Sequence, residues 1–219
     1  ISQDSVMVLG FEPALDDGSI VESRKGNRWY QIRVSGKEAH AGRDHQKGIN
    51  ACHELAIKLD RLQRLTDYEK NLTVSIGHMK GGKDKFNIVC GSAEAKVDVR
   101  ASDLKTFNST HAAIEKILEK AFVRSFKAKE PTETSYTIAD DSPPFSVGKI
   151  SRPYLDAYLG SIQKVEGAKV SSGSSGGAAD TNYMSREGLV ILDGLGPKGS
   201  GFHTHEETIE LSSLKTRAE

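Results

Sequence analysis

The chain has 219 residues, with 30 basic and 30 acidic side chains, 37% hydrophobic and 27% charged residues, and a formal net charge of zero. These proportions are those of a soluble globular protein with room for one large or two small domains. They give no electrostatic bias toward nucleic acid or a membrane surface, and no apolar run approaches the ~20 residues of a membrane helix.

In chain order, Ser5 to Leu9 is a short apolar run of the kind buried in a covered sheet. Gly10-Phe11-Glu12-Pro13 follows, so Glu12 stands just past a strand end, where open α/β sheets place ligand-binding groups. The chain opens on Ile1 and meets that strand at once, which reads as a piece of a longer polypeptide. Asp16 to Ser19 is a turn.

Arg28 to Val34 alternates, with Tyr30, Ile32 and Val34 on one face. Gly36-Lys37-Glu38-Ala39-His40-Ala41-Gly42 then turns the chain, and its small residues leave the His40 imidazole projecting. Gly48 to Leu65 reads as a helix with Cys52, Leu55, Ala56, Leu59 and Leu62 on one stripe. Asn71 to Met79 alternates, Gly81 to Asp84 turns, and Ser92 to Arg100 alternates with Ala93, Ala95, Val97 and Val99 inward. A second helix runs from Leu104 to Phe122, and Thr132 to Ile138 is a last strand. The order β-α-β-β-α-β is the ferredoxin-like arrangement of one sheet backed by two helices. Cys52 and Cys90 are expected as two buried free thiols rather than a disulfide or a metal clip.

Asp140 to Pro144 breaks the pattern, and α/β character returns beyond it. Arg152 to Val165 is helical, with Tyr154, Leu155, Tyr158, Leu159 and Ile162 on its apolar side. A Ser/Gly-rich segment, Ser171 to Gly177, leads into a helix from Asp180 to Glu187. Leu189 to Leu192 is a buried strand, Gly194 to Gly201 is a glycine-rich loop ending at His203, and a final helix starts near Ser212. The simplest topology is one α/β domain that starts at residue 1 and resumes near 140, with the ferredoxin-like domain inserted.

Taken singly, the candidate chemical residues say little. A loop histidine such as His40 is more often inert than functional. Glu12 and His203 are ordinary zinc donors that converge if their strands run parallel in one sheet, but zinc takes at least three protein ligands. His203 and His205 share a side if their loop is extended, with Glu206 or Glu207 either orienting a histidine or simply solvated. Glycines before a helix start, Gly176 and Gly177, leave N–H groups for an anion. Arg100 at a strand end suits a carboxylate clamp, and Asn87 a carbonyl.

Together these segments resemble one family. They are Glu12-Pro13, the run Val34 to Gly42, Gly48 to Ala51, Asn87-Ile88-Val89, Val97-Asp98-Val99-Arg100, Ser175 to Asp180 and Gly201 to Glu207. The chain looks like the dimeric co-catalytic zinc metallopeptidases that include glutamate carboxypeptidase, aminoacylase, acetylornithine deacetylase and succinyl-diaminopimelate desuccinylase, nearest the glutamate carboxypeptidase branch. The resemblance implies an α/β fold: a partial zinc-peptidase catalytic domain, residues 1–25 and 140–219, with an inserted ferredoxin-like dimerisation/lid domain, residues 26–139. It implies a carboxypeptidase-like amidohydrolase that cleaves an amide next to a free carboxylate in a small peptide or N-acyl amino acid. Two zincs per full-length subunit are expected, or other divalent metals, with Glu12 on one and His203 on the other.

By the same resemblance, His40 crosses a homodimer formed through the lid and steadies the oxyanion. Asn87 and Arg100 hold the substrate's carbonyl and terminal carboxylate, and Gly176 and Gly177 lie near the bound carboxylate. The family's His-x-Asp ligands, bridging aspartate and Glu-Glu pair would precede residue 1. The isolated chain is therefore expected to be inactive and not to hold zinc fully. Val89-Cys90 departs from the family's isoleucine and proline. Neither nucleic acid nor membrane is an expected partner, and the compartment, cytoplasm or periplasm, stays open. The alternative is a non-catalytic dimerisation module.

Overall fold

The computed structural model describes residues 4–167, 169–185 and 188–219. Its strands and helices are β1 (Met7–Leu9), β2 (Ile20–Arg24), β3 (Gly26–Ser35), α1 (Ala51–Gln63), β4 (Thr73–Gly81), β5 (Ser92–Ala101), α2 (Leu104–Glu119), β6 (Glu133–Ser142) and β7 (Phe145–Ser146). They continue with α3 (Arg152–Glu166), β8 (Ser172–Ser175), α4 (Asp180–Met184), β9 (Val190–Leu192), β10 (Gly199–Ser200), β11 (Thr208–Ile209) and α5 (Leu211–Ala218). The chain divides into two compact units, Ile1–Gly26 with Ser142–Glu219, and Asn27–Asp141.

The inserted unit follows the expected β-α-β-β-α-β order, and its sheet runs β4-β5-β3-β6. Alternation in β3 and β5 buries Tyr30, Ile32, Val34, Ala93, Ala95, Val97 and Val99 in a core with Leu55, Leu59 and Leu62 of α1 and Phe107, Ile114 and Leu118 of α2. Both helices start on side-chain caps: Asn50 accepts from the His53 N–H at 3.0 Å and Asp103 from the Thr106 N–H at 2.8 Å. α2 stops at Glu119, short of the expected Phe122, because Lys120 is extended at ψ 124°.

The α1 stripe differs from the sequence expectation. Ala56 is exposed, while Glu54 and Lys58 are completely buried. The reason lies at the end of α2, where the last carbonyls of any helix lack intrahelical donors. Lys58 Nζ donates to the carbonyls of Leu118 at 2.5 Å, Lys120 at 2.9 Å and Ile117 at 3.3 Å, and sits 3.2 Å from Glu54. Glu54 Oε2 in turn accepts from the N–H groups of Phe122 at 2.9 Å and Val123 at 2.7 Å. One ion pair on α1 thus caps the neighbouring helix.

The cysteines also depart from expectation: Cys52 and Cys90 form a disulfide, with Cα atoms 5.7 Å apart. They lie 38 positions apart in the chain. The Ala51 N–H donates to the Cys90 carbonyl at 2.8 Å, so the start of α1 and the approach to β5 run side by side.

In the other unit β1 and β9 pair in parallel, Met7 with Val190 through Leu9 with Leu192. β2 lies between β7, antiparallel, and β8, parallel. β8 carries only Ser and Gly, so no apolar period announced it; the Ile20 N–H bonds the Ser171 carbonyl at 2.9 Å and the Ser19 and Ser171 hydroxyls meet at 2.7 Å. β1 is not the covered strand expected, since Met7 is 38% and Leu9 46% exposed. On α3, Leu155 and Ile162 are buried against Ile20, Leu192 and Leu195, while Tyr154 faces solvent. α4 ends at Met184; residues 186 and 187 of the longer helix expected there lie outside the described residues.

Replacing Lys58 with Met strands the Glu54 carboxylate in the core, and denaturant unfolding is expected to show a loss of about 3 kcal/mol. Cys90→Ser opens the disulfide and should cost about 4 kcal/mol by loop-closure entropy. Thiol titration of the unfolded parent should find no free thiol before reduction and both cysteines after it.

Candidate active site

Because β1 and β9 are parallel, the segments leaving them emerge at the same edge. Glu12 follows β1 and His203 lies beyond β9, and both line one cavity of about 450 Å³. Asp16, Arg24, Gly177 and Glu207 share that lining.

The His203 loop is a tight turn rather than the extended segment that would put His203 and His205 on one side. His203 has φ 62°, in the left-handed region. The turn is held by Thr204, whose N–H and hydroxyl both donate to the Gly201 carbonyl, at 3.1 and 2.6 Å. Glu207 accepts from the His203 backbone N–H at 3.0 Å, so it fixes the backbone of that residue and not its ring. Glu12 and His203 carry zinc-donor chemistry, but among the described residues no group of three or more His, Cys, Asp or Glu is placed to hold a metal. These donors are a partial set and do not make a zinc site by themselves.

The glycine segment is held from below. The Gly177 N–H donates to Ser175 Oγ at 3.2 Å, so it is not free for an anion as the sequence suggested. α4 has five residues, and the Ala179 N–H ahead of it is bonded to Asn182 Oδ1 at 2.9 Å. A Cβ at Gly176 would meet nothing within 4 Å, and one at Gly177 only the Ser175 hydroxyl at 3.8 Å. Packing inside the chain therefore does not demand these glycines.

Sequence reasoning missed the group beneath the cavity. Arg24 Nε and Nη2 grip the two oxygens of Asp193 at 2.6 and 3.2 Å, and the Asp193 side chain is wholly buried. Asp193 also accepts from the Thr181 hydroxyl and from the Gly194 N–H at 2.6 Å. Arg24 Nη1 reaches Ser175 Oγ and the Gly177 carbonyl, both at 3.3 Å. The available signal was an acidic residue directly after the apolar run Leu189 to Leu192. On β2, two residues before Arg24, a hydrogen bond from the Ser172 hydroxyl at 2.6 Å, aided by Arg152, holds the Glu22 carboxyl below its ordinary range.

In the inserted unit, His40 and Asn87 are neighbours. His40 bridges to Ile88, the Ala41 N–H donates to the Asn87 carbonyl at 2.9 Å, and the Val89 N–H to the Ala39 carbonyl at 2.9 Å. Gly36 is required here, since a Cβ would fall 2.1 Å from the Ile49 carbonyl oxygen. His40 Nδ1 accepts from the N–H groups of Gly42 and Arg43, both at 3.2 Å. A neutral imidazole bonded this way carries its hydrogen on Nε2, pointing away from its own loop.

Arg100 is elsewhere. It pairs with Thr73 at the far end of β5, and its Nε donates to Asp98 at 2.9 Å. The His40 and Asn87 segments lie by the start of β5, where Ala93 faces Gly81. At ~3.3 Å per residue, the strand separates the two places by about 25 Å.

Residues 23–125 match the family described as the peptidase dimerisation domain. This part of the chain belongs to that family. The whole chain is similar to carboxypeptidase G2 of Pseudomonas sp. (strain RS-16), 25% identical over 213 residues, 96% of this chain and 49% of the relative. It is also similar to succinyl-diaminopimelate desuccinylase of Dechloromonas aromatica (strain RCB), 26% identical over 94% of this chain and 53% of the relative. Among solved structures, a tripeptidase from Staphylococcus aureus shares the fold with a TM-score of 0.78 at 19% identity, over 98% of this chain and 55% of that one. The chain thus spans about half the length of the relatives it matches. Its dimerisation domain coincides with the inserted ferredoxin-like unit and carries His40, Asn87 and Arg100, while Glu12, Gly176, Gly177 and His203 fall in the other unit.

Arg24→Met is expected to destabilise by about 3 kcal/mol because it leaves the Asp193 carboxylate buried and unpaired. Adding Asp193→Leu should recover part of that loss, and a double-mutant cycle in denaturant measures the coupling.

Proposed function

We propose that this chain is part of a metal-dependent amidohydrolase that cleaves an amide bond next to a free carboxylate and works as a homodimer. The observation that carries this reading is the convergence of Glu12 and His203, from parallel strands, on one cavity beside Gly177. Glu12 and His203 would each hold one of two zinc ions. The remaining donors and the general base belong to the part of the relatives' length that this chain does not cover. The exposed apolar side chains of β1, Met7 and Leu9, and of its flanks, Val6 and Phe11, support further polypeptide packing against that strand.

The chain's own residues have separable tasks. His40 presents Nε2–H toward the oxygen that gains charge in the transition state, in the partner subunit's site. Such a donor contributes about 3 kcal/mol. Asn87 stands beside it and holds the scissile carbonyl. Arg100 fixes the free carboxylate of the substrate. The ~25 Å between Arg100 and the His40–Asn87 pair supports a composite site in which the two subunits supply these groups from opposite ends of their sheets. The Ser175 to Gly177 segment, held by Arg24, leaves room for the substrate where no side chain fills the space.

A second reading, a pairing module without hydrolysis, is supported by the match of residues 23–125 to the peptidase dimerisation domain. The full-length polypeptide should hydrolyse N-acyl amino acids, lose activity on dialysis against a chelator and regain it with zinc. Activity indifferent to chelation would count against the metal. His40→Ala should lower kcat about 100-fold with little change in KM. Mixing His40→Ala with Arg100→Ala subunits should recover activity, because one site of each heterodimer keeps both groups. Failure to recover would place His40 in its own subunit's site.

A further inference from the structure

The loop between β4 and β5 carries Asn87. Residues 83–87 of it are exposed, and residues 88–91 are half-buried or buried. That second part is laid against two other segments. The Val89 N–H donates to the Ala39 carbonyl and the Ala41 N–H to the Asn87 carbonyl, both at 2.9 Å. The Gly36 N–H donates to the Gly91 carbonyl and the Ala51 N–H to the Cys90 carbonyl, both at 2.8 Å. Three of these bonds join the loop to the His40 turn, and the fourth joins it to the start of α1.

Backbone bonds at an exposed edge open locally, since water competes for each of them. A covalent link does not. Cys52, in the first turn of α1, is bonded to Cys90 at the foot of this ladder. Cys90 follows Val89 directly, and Val89 holds Ala39, the neighbour of His40. The surroundings are close-packed. A Cβ on Gly81 would lie 2.7 Å from Cys52 Sγ, and one on Gly48 would lie 2.9 Å from the Val89 side chain. Two separate thiols need more room than a bonded pair. Leu55, Leu59 and Leu62 fix α1 in the core, so the loop is the part that yields. The sulfurs are also within reach of a small reagent. Both cysteines are half-buried and line a solvent-open cavity of about 270 Å³ whose lining includes Gly82, Gly91, Lys83 and Lys85.

We infer that the Cys52–Cys90 disulfide positions the His40–Asn87 pair for the proposed hydrolysis, and that a small thiol which reduces it lowers activity reversibly. The inference rests on the reading that His40 and Asn87 meet the substrate. A thiolate of the reductant attacks one sulfur, the S–S bond breaks, and the released cysteine takes up a proton. A second reductant thiolate attacks the mixed disulfide at the reductant's sulfur and frees the other cysteine, which is protonated in turn. The reductant leaves as its own disulfide, having given two electrons to the cysteine pair. Neither cysteine touches the substrate. Both act through the backbone of residues 87 to 91.

The test treats the full-length polypeptide with a small monothiol and then reoxidises it. Reduction should lower kcat for an N-acyl amino acid about tenfold and change KM less than about twofold, and reoxidation should restore the parental rate. The double variant Cys52→Ser with Cys90→Ser should resemble the reduced parent and ignore the thiol. Inhibition of that variant as strong as that of the parent would mean the thiol acts elsewhere, and would overturn the inference. Reduction should cost His40→Ala less than about threefold and Arg100→Ala the full tenfold, because only the first lacks a group the disulfide positions. Equal losses in the two variants would make the disulfide merely structural. Amide exchange gives a reading that needs no catalysis. The Ala41 and Val89 N–H groups should exchange about tenfold faster after reduction, while Val97 and Val99 of β5 keep their rates. Unchanged exchange at Ala41 and Val89, equal acceleration in β5, or an unchanged kcat in an active parent each overturns the inference. Faster exchange in a parent that hydrolyses no N-acyl amino acid keeps the disulfide as the clamp on this loop and overturns the hydrolase reading instead.

Discussion

The pairing of Arg24 with Asp193 is the interaction on which the split unit depends. The partners are 169 positions apart, on either side of the inserted domain, and the carboxylate is fully buried. A buried carboxylate is tolerable only when its lone pairs are met. Here they are met by Arg24, Thr181 and Gly194 at once, from β2, α4 and the turn after β9. That requirement is satisfied only when both chain segments are docked. The same guanidinium then reaches the Ser175 hydroxyl and Gly177 carbonyl and sets one wall of the cavity. Folding of the discontinuous unit and placement of its glycine segment are therefore one event.

The dimerisation domain solves a comparable problem with different chemistry. Its two helices are joined at their ends by Glu54 and Lys58, which serve the open carbonyls and N–H groups where α2 stops. Its loops are joined by a short ladder from Gly36 to Ala41 against residues 87 to 91, and by the disulfide. A disulfide of this kind persists in oxidising surroundings. The result is a firm platform from which His40, Asn87 and Phe86 project, none of them buried.

The distribution of candidate residues along that sheet carries the argument for pairing. His40 and Asn87 stand by the start of β5 and Arg100 at its end. On the proposed reading, a substrate taken by all three groups would draw on two copies, and residues 23–125 match the peptidase dimerisation domain.

Much of this was legible before any coordinates. Alternation in β3 and β5 and the helical stripes around Leu55 and Ile114 set the ferredoxin-like order, because burial of one face imposes a period on the residues that form it. Glu12 and His203 were legible as candidates because each follows an apolar run. Other features were invisible for physical reasons. β8 is built of Ser and Gly and is held by backbone bonds that any residue supplies. The burial of Glu54 and Lys58 has no local signal, since it depends on where a different helix ends. Cys52 and Cys90 read as separate thiols because nothing local brings the two segments together.

The sequence by itself determined the order of elements, the inward faces and the residue types able to do chemistry, since these follow from local periodicity and side-chain character. The tertiary structure alone decided which of those residues meet. It set Glu12 and His203 on one cavity, joined the His40 and Asn87 segments, put Arg100 at the other end of β5 and paired Arg24 with Asp193. Contacts between residues distant in the chain depend on register and packing, and no local pattern encodes them.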